Sequence, residues 1–383
     1  MTTSPLLRDK HVLAIQAAIG WCIGGLGAVL VLGARDLDVP RHQLSWLGSA
    51  FGIGLLGVGV LGRRILQHGV EPVTRIGSIL VIAGVTFLAF GTSLPMLIIG
   101  GLLQGVGCAV FLIATPALIG VQDRAKRLAI AVGASSIAAL LAPGAIALAD
   151  QVLETGRVAL IVPAFWLTAI AVRRLRTPEG LGIDRPQAAM GTDGRMTGDS
   201  WRRWLVIVLA VSAEFCFWTW GAARLVDGGA ELDTASGLAA AFAIGMAVGR
   251  IIGPRSLGSL GPVQLSALTT GIAAVIVMVD APIPILVGGL FLAGLGVAVL
   301  YPVTLTRLLD DPALSEERLI ALAAFASGIA ITITPTVLGF LDRVIAIQLA
   351  FGLVPLLAVG VVVLYRPANE TDVPMGTVVV DGR

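Results

Sequence analysis

The sequence predicts an all-α integral membrane protein with twelve transmembrane helices in two six-helix halves. Three observations predict it: too few charged residues to cover a water-facing surface, twelve apolar stretches of spanning length, and a repeat relating the second six to the first. Of 383 residues, 56% are hydrophobic and only 13% charged, with mean hydropathy +0.94. A soluble domain averages about 25% charged residues, so lipid must be the main solvent.

The apolar stretches run over 12–33, 44–62, 73–93, 95–120, 128–149, 155–172, 203–225, 235–253, 262–280, 282–305, 318–340 and 345–365. About 20 such residues cross the hydrocarbon core as a helix. They must be helices because lipid offers no partner to an open backbone group. The short alternating segments of a transmembrane barrel are not visible. The first stretch is too long for a signal-peptide core and no cleavage pattern follows it, so it is expected to stay in the mature chain.

The longest polar interruption, 173–202, is rich in Gly, Pro and charge and reads as a linker. It separates a first half, 1–172, from a second, 203–365, followed by a tail, 366–383. With an even number of spans, both termini lie on one side. That side carries 21 of the 26 Lys and Arg; the other holds only Arg35, Arg41, Arg157, Arg224 and Arg343. The positive-inside rule therefore puts both termini in the cytoplasm of a cell membrane. The basic residues cluster at helix ends rather than on one face, so no nucleic-acid footprint is present.

The two halves resemble each other. At one constant offset Ala134, Ser135, Ile137, Ala138, Pro143 and Asp150 match Ala326, Ser327, Ile329, Ala330, Pro335 and Asp342, and Val162-Pro163 match Val354-Pro355. Ala and Leu recur by chance in apolar helices; a Pro and a helix-end Asp in register point to duplication. Six helices per half give parallel repeats, with a binding site expected at their interface near the bilayer midplane.

The chain resembles the major facilitator superfamily of transporters over nearly its whole length. "QGVGCA" (104–109) is similar to that family's fourth-helix motif, "GMAVGRIIGPR" (245–255) to its loop between helices eight and nine, and "GLGVAVLYP" (294–302) to tenth helices of sugar-permease-like members. The chain departs from the pattern at Gly101, where the family usually has an arginine. It departs again in "GRRILQHG", which lacks the family's acidic residue, and in "ALLAPGAIA", with Ala at several antiporter-motif glycines. The resemblance implies that helices one, four, seven and ten line a central cavity. That would place Trp21, Gln104, Cys108, Thr115, Trp218 and Tyr301 in its wall.

Helix four carries its own signal, because Gln104, Cys108, Phe111 and Thr115 recur on one helical face. An amide, a thiol, a ring and a hydroxyl suit a small organic ligand; hydrogen bonding between helices without a ligand is the alternative. Arg250 and the pair Arg63-Arg64 stand at cytoplasmic helix ends, either anchoring at headgroups or forming a gate. Two G-x-G-x-x-G matches, at Gly52-Gly54-Gly57 and Gly57-Gly59-Gly62, lie inside the second span and read as helix packing rather than a dinucleotide fingerprint. Cys22, Cys108 and Cys216 occupy three different spans and read as packing residues, and the three histidines are scattered. Neither a metal nor a cofactor is expected.

Glu214 is the lone carboxylate of "VLAVSAEFCFWTWGAARL" (208–225), and the basic residues nearest it on its helix are Arg203 and Arg224. A central acidic residue costs about 2.5–3.5 kcal/mol in the membrane, which the surrounding apolar residues offset. It should face the bundle interior, with Trp218 four positions on along the same face. Such a residue suits a proton carrier, or a counter-ion for a cationic ligand beside an aromatic wall; a neutral, hydrogen-bonded structural Glu is the plain alternative. The reading is a monomeric, non-enzymatic secondary transporter of a small organic solute, coupled to protons through Glu214. No G-x-x-x-x-G-K-[ST] motif occurs to bind ATP. An uncoupled carrier and a transport-inert sensor are the alternatives.

Overall fold

The structure is a computed structural model and describes residues 5–66, 69–119, 124–172, 194–257 and 260–366. Among these residues all regular structure is helical. The helices are α1 (Pro5–Leu37), α2 (Ser45–Leu66), α3 (Val70–Phe90), α4 (Leu94–Ile119), α5 (Arg124–Leu153), α6 (Val162–Val172), α7 (Gly198–Asp227), α8 (Leu232–Ile252), α9 (Pro262–Met278), α10 (Ile283–Val297), α11 (Leu300–Leu309), α12 (Glu316–Val344), α13 (Ile347–Ala350) and α14 (Leu353–Leu364). Three expected spans are each assembled from two pieces: the sixth from a 3-10 turn (Gly156–Ile161) and α6, the tenth from α10 and α11, the twelfth from α13 and α14. With those pieces joined, the twelve expected crossings are all present.

Proline explains the three breaks. A proline cannot donate to the carbonyl four residues back and its ring crowds that carbonyl. Pro163, Pro302 and Pro355 thus disfavour a continuous helix through Ala159, Ala298 and Phe351, where the 3-10 turn, the α10–α11 junction and the α13–α14 turn lie. Pro143 and Pro335 instead stay inside α5 and α12. The helix α7 also starts earlier than the apolar stretch, at Gly198. Thr197 and Ser200 form a reciprocal capping box, and Asp199 pairs with Arg202 and Arg203, which carries the helix beyond its apolar part.

The chain's fold puts α1 and α7 at the centre: 83% and 78% of their most apolar windows are buried, against 33% for the twelfth span. Peripheral helices turn Ile, Val, Leu and Phe side chains such as Ile76, Phe165 and Val363 outward, as a lipid-facing belt requires. The first and last six spans meet through α2 with α12, α5 with α8, and α1 with α7. Exchanging the halves turns the first of these pairs into the second.

Close packing uses glycine at corresponding places. A Cβ at Gly105 of α4 would overlap the carbonyl oxygen of Phe51 in α2, and one at Gly294 of α10 that of Phe242 in α8. Of the glycines in the dinucleotide-like pattern, Gly52 lies against Thr332 of α12 and Gly54 against Val106 of α4. They allow close helix approach, as small residues do in lipid.

Candidate functional site

A cavity of about 90 Å³ opens between α1, α5, α7 and α8. The first half contributes Gly20, Ile23, Ser135, Ser136 and Ala139; the second contributes Glu214, Trp218, Met246 and Arg250 among others. It lies between the two sets of helices, near the middle of α1 and α7. Ligand clefts commonly enclose roughly 300–1,000 Å³, so this arrangement has room only for a small solute.

Glu214 sits half-buried in the cavity wall. The indole Nε1 of Trp218, one turn on, donates to its Oε1 at 3.1 Å. That indole is held in turn by Phe242, whose ring meets it edge-on at 5.1 Å, and Phe217 stacks on the other side of Phe242. Bulky rings on α7 are thus wedged against α8, which fixes the carboxylate's orientation. The α1 backbone passes so close that a Cβ at Gly27 would lie only 2.5 Å from the carbonyl oxygen of Trp218.

Arg250, in the last turn of α8, lines the same cavity and lies within electrostatic reach of Glu214. Its Nη1 donates across the cavity to Ser136 Oγ of α5 at 2.7 Å. This bond joins the two halves. Tyr301, at the start of α11, also lies within electrostatic reach of Glu214. The structure therefore brings Glu214, Trp218 and Arg250 together in one lining, of which Tyr301 is not a part.

The other expected cavity residues lie elsewhere. Thr115 accepts from Gln16 of α1 at 2.9 Å and donates to the carbonyl of Phe111. Cys108 is fully buried against Cys22 of α1. Gln104 is fully buried, and neither end of its amide has a partner among the described residues. The polar face of α4 is thus covered by α1. Trp21 packs on Ala138 and Ala142 of α5. The side chains of Arg63 and Arg64 lie outside the described residues.

Sequence reasoning missed a set of ion pairs at the face opposite the linker, here called the far face. Arg35 donates two hydrogen bonds to Asp150, at 2.6 and 2.7 Å, and also holds Asp36. Arg157 donates to Asp36 and to the carbonyls of Leu88 and Gly91, which close the end of α3. In the second half Arg41 makes the paired bonds, at 2.9 and 2.8 Å to Asp342, with a longer contact to Asp227. Arg224 then closes the end of α9 through the carbonyls of Val277 and Val279. Arg41 lies between α1 and α2, so this second network joins the halves. Its one sequence signal is the matched pair Asp150 and Asp342.

The sequence pattern of the Major Facilitator Superfamily matches residues 12–306. With the fold above, this shows that the chain belongs to that family: it is a membrane transporter of small solutes and not an enzyme. No curated protein sequence matches it. Among solved structures it is similar to the nucleoside transporter NupG in a point-mutant form, with TM-score 0.70 at 12% identity, covering 94% of this chain and 100% of that one. It is also similar to a point mutant of the peptide transporter POT, with TM-score 0.71 at 15% identity over 93% of this chain and 92% of that one. The sulfate complex of that mutant gives TM-score 0.72 at 14% identity, covering 93% and 94%. At such identities the likeness shows the fold alone.

Proposed function

We propose that the chain is a proton-coupled secondary transporter of a small organic solute, in which Glu214 takes up and releases the coupling proton. The observation that carries this reading is the position of Glu214: among the described residues it is the one carboxylate lining the cavity between the two halves. A proton carrier must be reached from each side in turn, and only a group at the interface of two rocking halves meets that condition. Arg250 with Ser136 closes the linker side in this reading, and Arg41 with Asp342 and Asp227 closes the far side. The excess of basic residues assigns the linker side to the cytoplasm and both termini with it. The tenth span's likeness to sugar-permease members does not decide the substrate. One acid, one base and two serines in the lining suit a charged group better than a polyol.

Glu214→Gln keeps the size and hydrogen-bonding capacity of the side chain but carries no exchangeable charge. In proteoliposomes this variant is expected to lose accumulation driven by a pH gradient and to retain counterflow exchange, which needs only rocking of the loaded carrier. Accumulation against a gradient by the variant would refute proton coupling at Glu214 and favour an uncoupled carrier or another ion.

A further inference from the structure

Charge balance in the cavity constrains what the carrier binds. Its lining holds two ionisable side chains among the described residues, Glu214 and Arg250. Among the described residues, Tyr301 also lies within electrostatic reach of Glu214. With Glu214 ionised and Arg250 protonated the lining sums to zero. A proton on Glu214 leaves the guanidinium uncompensated.

We infer that the solute is a small organic monoanion, recognised by Arg250 and carried together with one proton on Glu214. This rests on the reading of Glu214 as the proton site. The guanidinium has five N–H donors, and among the described residues only Nη1 has a hydrogen-bond partner, the Ser136 hydroxyl. Ser136 Oγ itself donates to the carbonyl of Val132. A carboxylate or sulfonate would take a paired set of donors from Arg250 and would compete with that single neutral contact. The cavity, about 90 Å³ in this state, suits a small solute.

The same balance produces coupling. The empty carrier, with Glu214 ionised beside Arg250, is neutral in the cavity. The fully loaded carrier, with one proton and one anion, is neutral as well. Arg250 is exposed in this state, but rocking must close the halves over it. A carrier holding the proton alone or the anion alone would then enclose an uncompensated charge, which is strongly unfavourable away from water. Only the empty and fully loaded forms rock, so proton and anion cross together and no net charge moves. A lone cation fails this test because Arg250 already answers the carboxylate.

Four near-isosteric probes test the assignment on the detergent-purified protein: propionate, alanine, propylamine and propionamide, which are anionic, zwitterionic, cationic and neutral. Calorimetry and thermal shift are expected to show saturable binding of propionate alone. Affinity should fall as pH rises, by up to about tenfold per unit, because the anion needs the protonated Glu214. Glu214→Gln mimics that protonated form and should bind propionate with no pH slope. Arg250→Gln should weaken propionate roughly tenfold or more, while Arg343→Gln, at the far face, should not. Preferential binding of alanine, propylamine or propionamide, or saturable binding of none, overturns the anion assignment and leaves proton coupling to the accumulation assay. Propionate binding by Glu214→Gln that keeps its pH slope would instead remove Glu214 as the proton site and leave the anion assignment standing.

Discussion

The far-face networks of the two halves follow one plan, but their arginines are drawn from different places in the chain. In each, an aspartate ending the fifth span of its half (Asp150 or Asp342) and one ending the first (Asp36 or Asp227) share an arginine. A second arginine, Arg157 or Arg224, closes the third span of that half. In the first half the shared arginine is Arg35, one residue before Asp36. The matching place before Asp227 holds Val226, and Arg41 from the other half does the work. What is a brace within one half is thus, in the other, a tie between the two. A brace should show its loss in stability, and a tie in which side of the carrier is open.

The largest expected effect is on the brace. The Asp150 side chain is 2% exposed and accepts from Arg35 twice and from the Gly156 amide at 2.8 Å. Asp150→Asn should cost about 2–3 kcal/mol, since it weakens several charge-assisted bonds at once. Asp342→Asn should cost less, about 1 kcal/mol, because among the described residues Asp342 accepts only from Arg41 and lacks the backbone amide that Asp150 takes from Gly156. Unfolding midpoints in detergent measure both. Equal losses would remove the distinction between brace and tie.

How much of this was legible depended on whether the cause was local. Twelve crossings followed from hydropathy, because lipid demands the same apolar length of each. The prolines at 163 and 355 marked real breaks, and their match in register already hinted at duplication. Glu214 stood out because a lone charge in an apolar run has no local explanation. Its relation to Arg250 did not, since nothing in the sequence says that the middle of α7 and the last turn of α8 share a cavity. The α4 stripe shows the same limit. Periodicity found one polar face, but Gln16 and Cys22 of α1 cover it, and periodicity cannot say which neighbour a face meets. Arg35, Arg41, Arg157 and Arg224 looked like exceptions to a topology rule. Each is in fact committed to aspartates or to helix-end carbonyls.

The next effect is conformational. Arg41→Gln removes the tie while leaving Asp150 and Arg35 untouched. If the tie contributes about 1 kcal/mol, its loss should raise the far-side-open population about fivefold. Spin labels at Gln151 and Glu231, both exposed at the far face and on opposite halves, would read this as growth of a longer distance. Adding Val226→Arg sharpens the comparison by rebuilding the first half's arrangement inside the second. That double variant should recover stability and stay open on the far side. Recovery of closure would mean that any arginine near Asp342 suffices, and that the origin of Arg41 in the other half carries no weight.

The smallest effect should come from the opposite face of the carrier. There, among the described residues, the halves are joined at the cavity by the bond from Arg250 Nη1 to Ser136 Oγ at 2.7 Å, with a neutral acceptor and an exposed donor. A hydrogen bond of this kind contributes about 0.5–1 kcal/mol net, since water competes for both groups. Ser136→Ala should therefore shift the linker-side-open population only about two- to fivefold, less than Arg41→Gln shifts the far side. It should leave the cavity's charges in place, because Glu214 and Arg250 both belong to the second half. Propionate binding should hold or tighten slightly as Arg250 loses a competitor. An outcome in which Ser136→Ala opens the linker side more than Arg41→Gln opens the far side would reverse the ranking. The main closure would then lie beside Glu214, and the far-face network would be a brace in both halves.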